Sequence, residues 1–239
     1  MKNLGAQHKN LDQKVYHILK TMITERKLLP GEKISQEKLA RELGVSRTPL
    51  ISALKYLEKE KLVEAIPRRG FFVRLFTKVE MINIFELREV LEGLAARRAA
   101  LYISNSQILQ LKGFFSRFDP KKKIVDLASY SREDRRFHNF VIDIGSKEFL
   151  QSILENYNII SFSYQVLSFE GLIRPPDETI NEHLAVIGAI AHRNPEEAED
   201  LMRLHLKKTI LYLKKDLENG EVSSGLRMPK NRSSKPGKE

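Results

Sequence analysis

Two short amphipathic helical patterns meet at Gly44-Val45-Ser46, and few folds accommodate two helices joined so closely. Gly44 permits a tight turn, and Ser35 and Ser46 are suited to cap the first and second helix. The apolar positions of the second helix follow the spacing i, i+3, i+4 and i+7; they are Leu50, Ala53, Leu54 and Leu57. This pattern predicts a helix-turn-helix, a motif whose second helix enters the major groove of DNA.

The same geometry places a mostly polar set of side chains on the outward face of the second helix. They are Ser46, Arg47, Thr48, Ile51, Ser52 and Lys55. The hydroxyls of Ser46 and Thr48, together with the free N–H groups at the helix start, can bind phosphate. Arg47 can hold a phosphate or read a guanine. We therefore expect this face to contact DNA.

A β-hairpin is predicted directly after the helix-turn-helix. Residues 62–66 and 71–74 read as two short strands around Pro67-Arg68-Arg69-Gly70. Two arginines at the tip of a hairpin suit a narrow minor groove or flanking phosphates. The alternative is a solvated hairpin end. We favour DNA contact by Arg68, Arg69 and Gly70, because the hairpin follows a DNA-binding motif.

The distribution of charge separates the chain into unlike parts. Residues 1–76 hold 16 Lys and Arg residues against 8 Asp and Glu residues, whereas residues 77–218 hold 20 against 21. A basic first third on a neutral body indicates a nucleic-acid module attached to another domain. A solvated lysine-rich surface is the alternative.

Cysteine content and hydropathy exclude several classes of protein. The chain has no cysteine, which excludes disulfide scaffolds, thiolate zinc fingers, iron–sulfur ligation and a cysteine nucleophile. The first ten residues are polar and lack the apolar core of a secretory signal, and no stretch is apolar and long enough for a membrane span. We expect a cytoplasmic protein.

The remainder of the chain reads as helices with short connections. Thr77 and Glu80 form a capping box that opens a long helix, and further helical patterns lie near 105–117, 123–144, 147–168, 178–192 and 195–218. The predicted fold is mainly α. A winged helix-turn-helix of three helices and a small hairpin (1–76) precedes an antiparallel six-helix bundle (77–218) and a disordered basic tail (219–239).

Four polar residues interrupt the apolar stripes of that bundle. Asp134 and His138 lie at i and i+4 on one helix, and His183 and His205 lie on the inward stripes of two others. A buried carboxylate must be paired or bound to a cation. The residues alone leave two interpretations open, a metal site or core histidines satisfied by local hydrogen bonds.

The N-terminal motifs resemble a known family. Pro30-Gly31-Glu32, Leu43-Gly44-Val45-Ser46-Arg47-Thr48-Pro49 and Arg69-Gly70-Phe71-Phe72-Val73, in this order, are similar to the winged helix-turn-helix of GntR-type transcriptional regulators. One departure concerns Ile51-Ser52, which stands where these regulators usually carry Arg-Glu. The missing arginine normally helps to hold the operator, whereas Ile51 can contact a thymine methyl group.

The C-terminal motifs resemble the FCD effector domain of FadR-like GntR regulators, in its smaller six-helix form. They are Arg88-x-x-x-Glu92, Asp134-x-x-Phe137-His138, Glu182-His183 and Met202-x-x-His205. The resemblance implies that Asp134, His138, His183 and His205 hold a divalent ion such as Zn²⁺, Ni²⁺ or Mn²⁺. It also implies that a small carboxylate effector binds the ion. We expect Arg88 to anchor that carboxylate; the alternative is an ion pair with Glu92 along the helix.

These observations predict a homodimeric, ligand-responsive transcriptional repressor that binds a double-stranded DNA operator. Dimerisation follows from the resemblance and from the small number of contacts that one winged helix can make. The alternatives are a metal-dependent hydrolase or lyase on a helical bundle, and a structural protein that binds DNA without sequence preference.

Overall fold

The computed structural model describes residues 4–146, 150, 153 and 162–218. These residues form eight α-helices, a 3₁₀-helix at Ser168–Gly171 and one antiparallel two-stranded sheet. In chain order the elements are α1 (Leu4–Thr24), α2 (Gln36–Leu43), α3 (Arg47–Lys59), β1 (Val63–Ile66), β2 (Gly70–Val73), α4 (Lys78–Tyr102), α5 (Asn105–Gly113), α6 (Leu127–Gly145), α7 (Pro176–Ala191) and α8 (Pro195–Glu218).

The predicted fold class is confirmed: a winged helix-turn-helix precedes a helical domain. Two predicted segments fall where little or nothing is described. Most of the helix expected at 147–168 and the whole tail at 219–239 lie outside the described residues.

The helix-turn-helix forms for the local reasons that the sequence indicates. The hydroxyl of Ser35 accepts a hydrogen bond from the Lys38 amide and caps α2, and Gly44 ends that helix with a left-handed φ of 64°. The four apolar positions of α3 are fully buried, and α1 packs across the same helix. The opposite face of α3 is therefore exposed to solvent.

The hairpin pairs Val63 with Val73 and Ile66 with Gly70. Its turn needs positive φ angles at Arg68 (62°) and Gly70 (97°). A third segment lies beside β2, because the Ile34 amide donates to the Phe71 carbonyl at 2.8 Å. The wing is thus tied to the loop between α1 and α2.

The helical domain is organised around α4, which packs against α8, α6 and α7. Thr77 and Glu80 form the predicted capping box at its start. Small buried residues let the helices approach closely. At Gly145 the approach is so close that an added Cβ would lie 1.9 Å from the Ala95 carbonyl oxygen.

The helix α5 is shorter than the pattern at 105–117 predicts, since it ends at Gly113. Phe115 has a positive φ of 59° and is buried, as is Phe114. Both rings contact Phe137 of α6 in the core in edge-to-face geometry. The free energy gained by burying two phenyl rings exceeds the free energy that further turns of an exposed helix would contribute.

Candidate metal centre and nucleic-acid interface

Three histidines from three helices converge in the interior of the helical domain. His138 of α6, His183 of α7 and His205 of α8 each offer a ring nitrogen, and these nitrogens all lie within 4.8 Å of one another. All three side chains are buried. The structure therefore contains a buried histidine triad that could hold a metal ion.

Asp134 lies beside this triad, one helical turn before His138. Its Oδ1 is 3.2 Å from Nε2 of His183, without hydrogen-bond geometry, and its Oδ2 accepts a hydrogen bond of 2.6 Å from the Tyr164 hydroxyl. The structure thus brings the three predicted histidines together and places Asp134 next to one of them, His183.

The Nδ1 atom of each histidine already has a hydrogen-bond partner. His138 Nδ1 lies 2.5 Å from Glu92 Oε2, and His205 Nδ1 lies 2.8 Å from Glu182 Oε2. The Tyr130 hydroxyl lies 3.1 Å from His183 Nδ1. A carboxylate acceptor keeps the ring proton on Nδ1, which leaves a lone pair on Nε2.

The Nε2 atom of His183 is a buried polar atom without a hydrogen-bond partner among the described residues. Such an atom is unfavourable unless something binds it. A metal ion held between the three imidazoles and Asp134 would supply that partner. The residues present therefore fit a divalent ion.

The electrostatics of the cluster keep the imidazoles in the form that binds metals. Burial, with His205 and His138 nearby, lowers the pKa of His183 well below its ordinary value. Burial also lowers the pKa of His205, although Glu182 opposes this change. A histidine must be neutral to coordinate an ion, so both shifts favour coordination at neutral pH.

Arg88 is buried on α4 and faces the same region. Its Nε donates to Glu92 Oε1 at 2.5 Å, and its Nη1 donates to Ser163 Oγ at 2.8 Å. Burial alone would raise the pKa of Glu92, but the charge of Arg88 and the bond to His138 lower it to about 2. The ion pair with Glu92 is therefore present, and Nη2 of Arg88 has no partner in the described part of the chain.

A small cavity of about 30 Å³ lies between these groups. Its polar lining includes Arg88, Asp134, His138, Tyr164 and His205. A water molecule needs roughly 10–15 Å³ of such space, so the cavity has room for an ion and very little more.

Several residues that support the histidines have no role predicted from the sequence. Tyr130 lies on α6 one turn before Asp134, and Glu182 precedes His183 directly. Their positions could have suggested contacts with the cluster. Tyr164 lies in an irregular segment, and no periodic pattern indicates its contact with Asp134.

The predicted DNA-binding residues lie at α3 and the wing. Ser46, Arg47, Thr48 and Lys55 are exposed, while Ile51 and Ser52 are half-buried. Although Ser46 is the N-cap residue of α3, its side chain makes no capping hydrogen bond, so its hydroxyl is available to a ligand. At the wing, Arg68 and Arg69 are exposed beside Gly70.

Two family models match the chain in the order that the structure shows. "Bacterial regulatory proteins, gntR family" matches residues 11–73, and "FCD domain" matches residues 83–208. The chain belongs to the GntR family and carries an FCD domain. It is 28% identical over 210 residues to the HTH-type transcriptional regulator YdhC of Bacillus subtilis. The alignment covers 86% of this chain and 92% of the relative.

A second relative is the HTH-type transcriptional repressor RspR of Escherichia coli, which is 26% identical over 200 residues. That alignment covers 83% of this chain and 86% of the relative. Among solved structures, E. coli McbR/YncC matches this GntR-family chain with a TM-score of 0.70 at 19% identity over 87% of this chain and 98% of that one. A GntR regulator from Rhodococcus sp. RHA1 gives a TM-score of 0.69 at 18% identity, covering 85% and 97%. These two likenesses establish the fold.

The GntR-family chain is a transcriptional regulator and not an enzyme, since its domains and its relatives are those of regulators. The hydrolase or lyase alternative is therefore set aside. In the part of the chain that the structure describes, no helix is long and apolar enough to cross a bilayer.

Proposed function

We propose that this GntR regulator holds one divalent metal ion in its FCD domain and binds a small carboxylate effector there. The observation that carries the proposal is the convergence of three buried histidines whose Nδ1 atoms are already engaged. Asp134, His138, His183 and His205 would supply one oxygen and three nitrogen ligands. Such a donor set suits Zn²⁺, Ni²⁺ or Mn²⁺ and does not by itself select among them.

The effector would bind on the side of the cavity that Arg88 lines. A bound ion would supply one or two coordination positions for a carboxylate, and Nη2 of Arg88 would donate to its second oxygen. Because the cavity measures about 30 Å³, an organic acid enters only if part of the lining moves. The lining residues 172–174 belong to the loop between the 3₁₀-helix and α7, and they are the best placed to move.

Residues 1–76 would form the DNA-binding domain and residues 77–218 the effector and dimerisation domain. Ser46, Arg47, Thr48, Ile51, Ser52 and Lys55 would contact the major groove and its phosphates, and Arg68, Arg69 and Gly70 would contact the minor groove. Two copies of the chain would read a roughly palindromic operator. Repression is supported by the E. coli relative RspR, which is named a transcriptional repressor, and a regulator of transcription would act in the cytoplasm.

Thermal unfolding of the metal-stripped full chain tests the proposal. Zn²⁺, Ni²⁺ and Mn²⁺ are added one at a time, and small carboxylic acids are then added to the metal-loaded protein. We expect at least one ion to raise the melting temperature and one or more acids to raise it further, since a ligand of the folded state stabilises it. The matched control is His192→Ala, which removes an exposed histidine. Absence of any metal-dependent shift would contradict the proposal.

A further inference from the structure

Arg26 reaches from the N-terminal part of the chain into the FCD domain. It lies in the turn after α1, where its own backbone has a positive φ of 59°. Its Nη1 donates to the carbonyl oxygens of Tyr164 at 2.9 Å and Val166 at 2.8 Å, and its Nε lies 3.8 Å from a carboxylate oxygen of Glu170. The side chain is 10% exposed, so these contacts lie mainly inside the protein.

The segment that Arg26 holds is also connected to the histidine cluster. The Tyr164 hydroxyl donates to Asp134, and the Ser131 hydroxyl of α6 donates to the Glu170 carbonyl at 2.8 Å. The segment 164–171 is therefore fixed on one side by α6 and on the other by Arg26.

This segment has an unusual backbone. Phe169, Glu170 and Gly171 have consecutive positive φ angles of 40°, 54° and 98°. Left-handed backbone is unfavourable for residues other than glycine and persists only where surrounding contacts enforce it. A Cβ on Gly171 would lie 2.9 Å from the Tyr164 carbonyl oxygen and 3.0 Å from Nη1 of Arg26, so the packing there is close. A displacement of Tyr164 would therefore move the side chain of Arg26 as well.

On the DNA-binding side, Arg26 is attached rigidly to α1. Its amide donates to the Ile23 carbonyl, and the amides of Lys27 and Leu28 both donate to the Met22 carbonyl. Because α1 packs against α3, one packed helix separates Arg26 from the helix that carries Arg47.

We propose that Arg26 couples the histidine cluster to the DNA-binding domain through Tyr164, an inference that rests on the metal site proposed above. If Asp134 gave a lone pair to a bound ion, its hydrogen bond from Tyr164 would weaken or change direction. The segment 164–171 would then shift, and Arg26 would transmit the shift to the end of α1. Arg26 is a positioning residue and touches neither the proposed ion nor DNA.

Hydrogen–deuterium exchange of the full chain, with zinc chloride as the probe, tests this coupling. Peptides from residues 162–172 report the segment near the cluster, and peptides from residues 22–34 report the turn after α1, including the Lys27 and Leu28 amides. In the unmodified protein we expect zinc to change exchange in both regions.

In Arg26→Ala we expect the zinc response at 162–172 to persist and the response at 22–34 to be lost. Tyr164→Phe removes the hydroxyl but keeps the ring and the carbonyl, and should also lose the response at 22–34. It provides the test if Arg26→Ala does not fold. Lys27→Ala is the matched control, since Lys27 lies in the same turn and pairs with Glu25 at 2.7 Å; it should behave like the unmodified protein.

The inference is overturned if residues 22–34 respond to zinc in Arg26→Ala as they do in the unmodified protein, or if a zinc-loaded unmodified protein shows no response there. Zinc analysis of the same samples separates these outcomes from failure of the metal site. An unmodified protein that takes up no zinc would contradict the proposed function itself and this inference with it.

Discussion

Glu92 Oε2 lies 2.5 Å from His138 Nδ1, so a fully buried carboxylate on α4 fixes an imidazole on α6. The other oxygen of Glu92 accepts from Arg88, which offsets its charge. The first helix of the FCD domain thus shapes the histidine cluster without supplying a ligand to it. Glu92 therefore links Arg88 to a histidine of the proposed metal site, and these are the two groups that we propose to hold the effector.

The carboxylate on α7 should contribute to metal affinity in the same way. Glu182→Gln weakens the acceptor that orients His205, and we expect metal affinity to fall by about 10–100-fold, as is usual for outer hydrogen-bond partners. Competition with a chelator of known affinity measures the change. Glu178→Gln is the control. Like Glu182, Glu178 pairs with Arg174, but it contacts no histidine of the cluster. Equal affinities of the two variants would contradict this role.

Arg88→Ala should lower the stability of the metal-free protein. The substitution leaves Glu92 buried with one partner fewer, and breaking a buried pair usually costs about 3–5 kcal/mol. Urea unfolding gives the free energy. Arg97→Ala is the comparison, since it removes a half-exposed pair worth at most about 1 kcal/mol. A similar small loss in both variants would show that the Arg88–Glu92 pair contributes little.

Most of the N-terminal structure could be predicted from the sequence because its determinants are local. The cap at Ser35, the left-handed turn at Gly44 and the buried stripe of α3 each depend on residues a few positions apart. The apolar stripes of three further helices likewise predict that His138, His183 and His205 face the interior of the bundle. Their convergence depends on how three helices are rotated about one another, which periodicity does not specify; the family resemblance supplied it.

The contacts that surround the cluster could not be predicted from the sequence. Arg26 and Tyr164 are 138 positions apart, and both lie in irregular backbone. The side-chain directions of turn residues follow from the packed structure and not from a repeating pattern. For Arg88 the sequence leaves two partners open, an effector carboxylate and Glu92, and the structure contains the pair with Glu92.

Gly145→Ala should destabilise the FCD domain strongly. Its Cβ would lie 1.9 Å from the Ala95 carbonyl oxygen, so α4 and α6 would have to separate. Overpacking of this kind typically costs about 1–3 kcal/mol or more. Differential scanning calorimetry should show a lower melting temperature.

The matched control for Gly145 is Gly188→Ala in α7, where nothing in the described structure lies within 4 Å of the added Cβ. Alanine favours helix over glycine by roughly 0.5–1 kcal/mol, so this variant should keep or raise the melting temperature. An unchanged melting temperature in Gly145→Ala would contradict the close approach of the two helices.

Arg47→Ala should weaken DNA binding through loss of an exposed cation at the start of α3. On a random-sequence duplex, we expect the slope of log affinity against log salt to fall by about 1 in magnitude. Fluorescence anisotropy over a series of salt concentrations measures the slope. Lys112→Ala changes the charge equally on the exposed surface of α5 and should leave the slope unaltered. Identical slopes for the two variants would remove Arg47 from the DNA-binding surface.

Elemental analysis of the purified full chain most directly tests whether the FCD domain is built around an ion. We expect about one divalent ion per chain in the unmodified protein and in His192→Ala, and none in a variant that carries both His183→Ala and His205→Ala. Full metal content in the double variant, or an unmodified chain that neither retains nor takes up a divalent ion, would contradict the proposed metal centre.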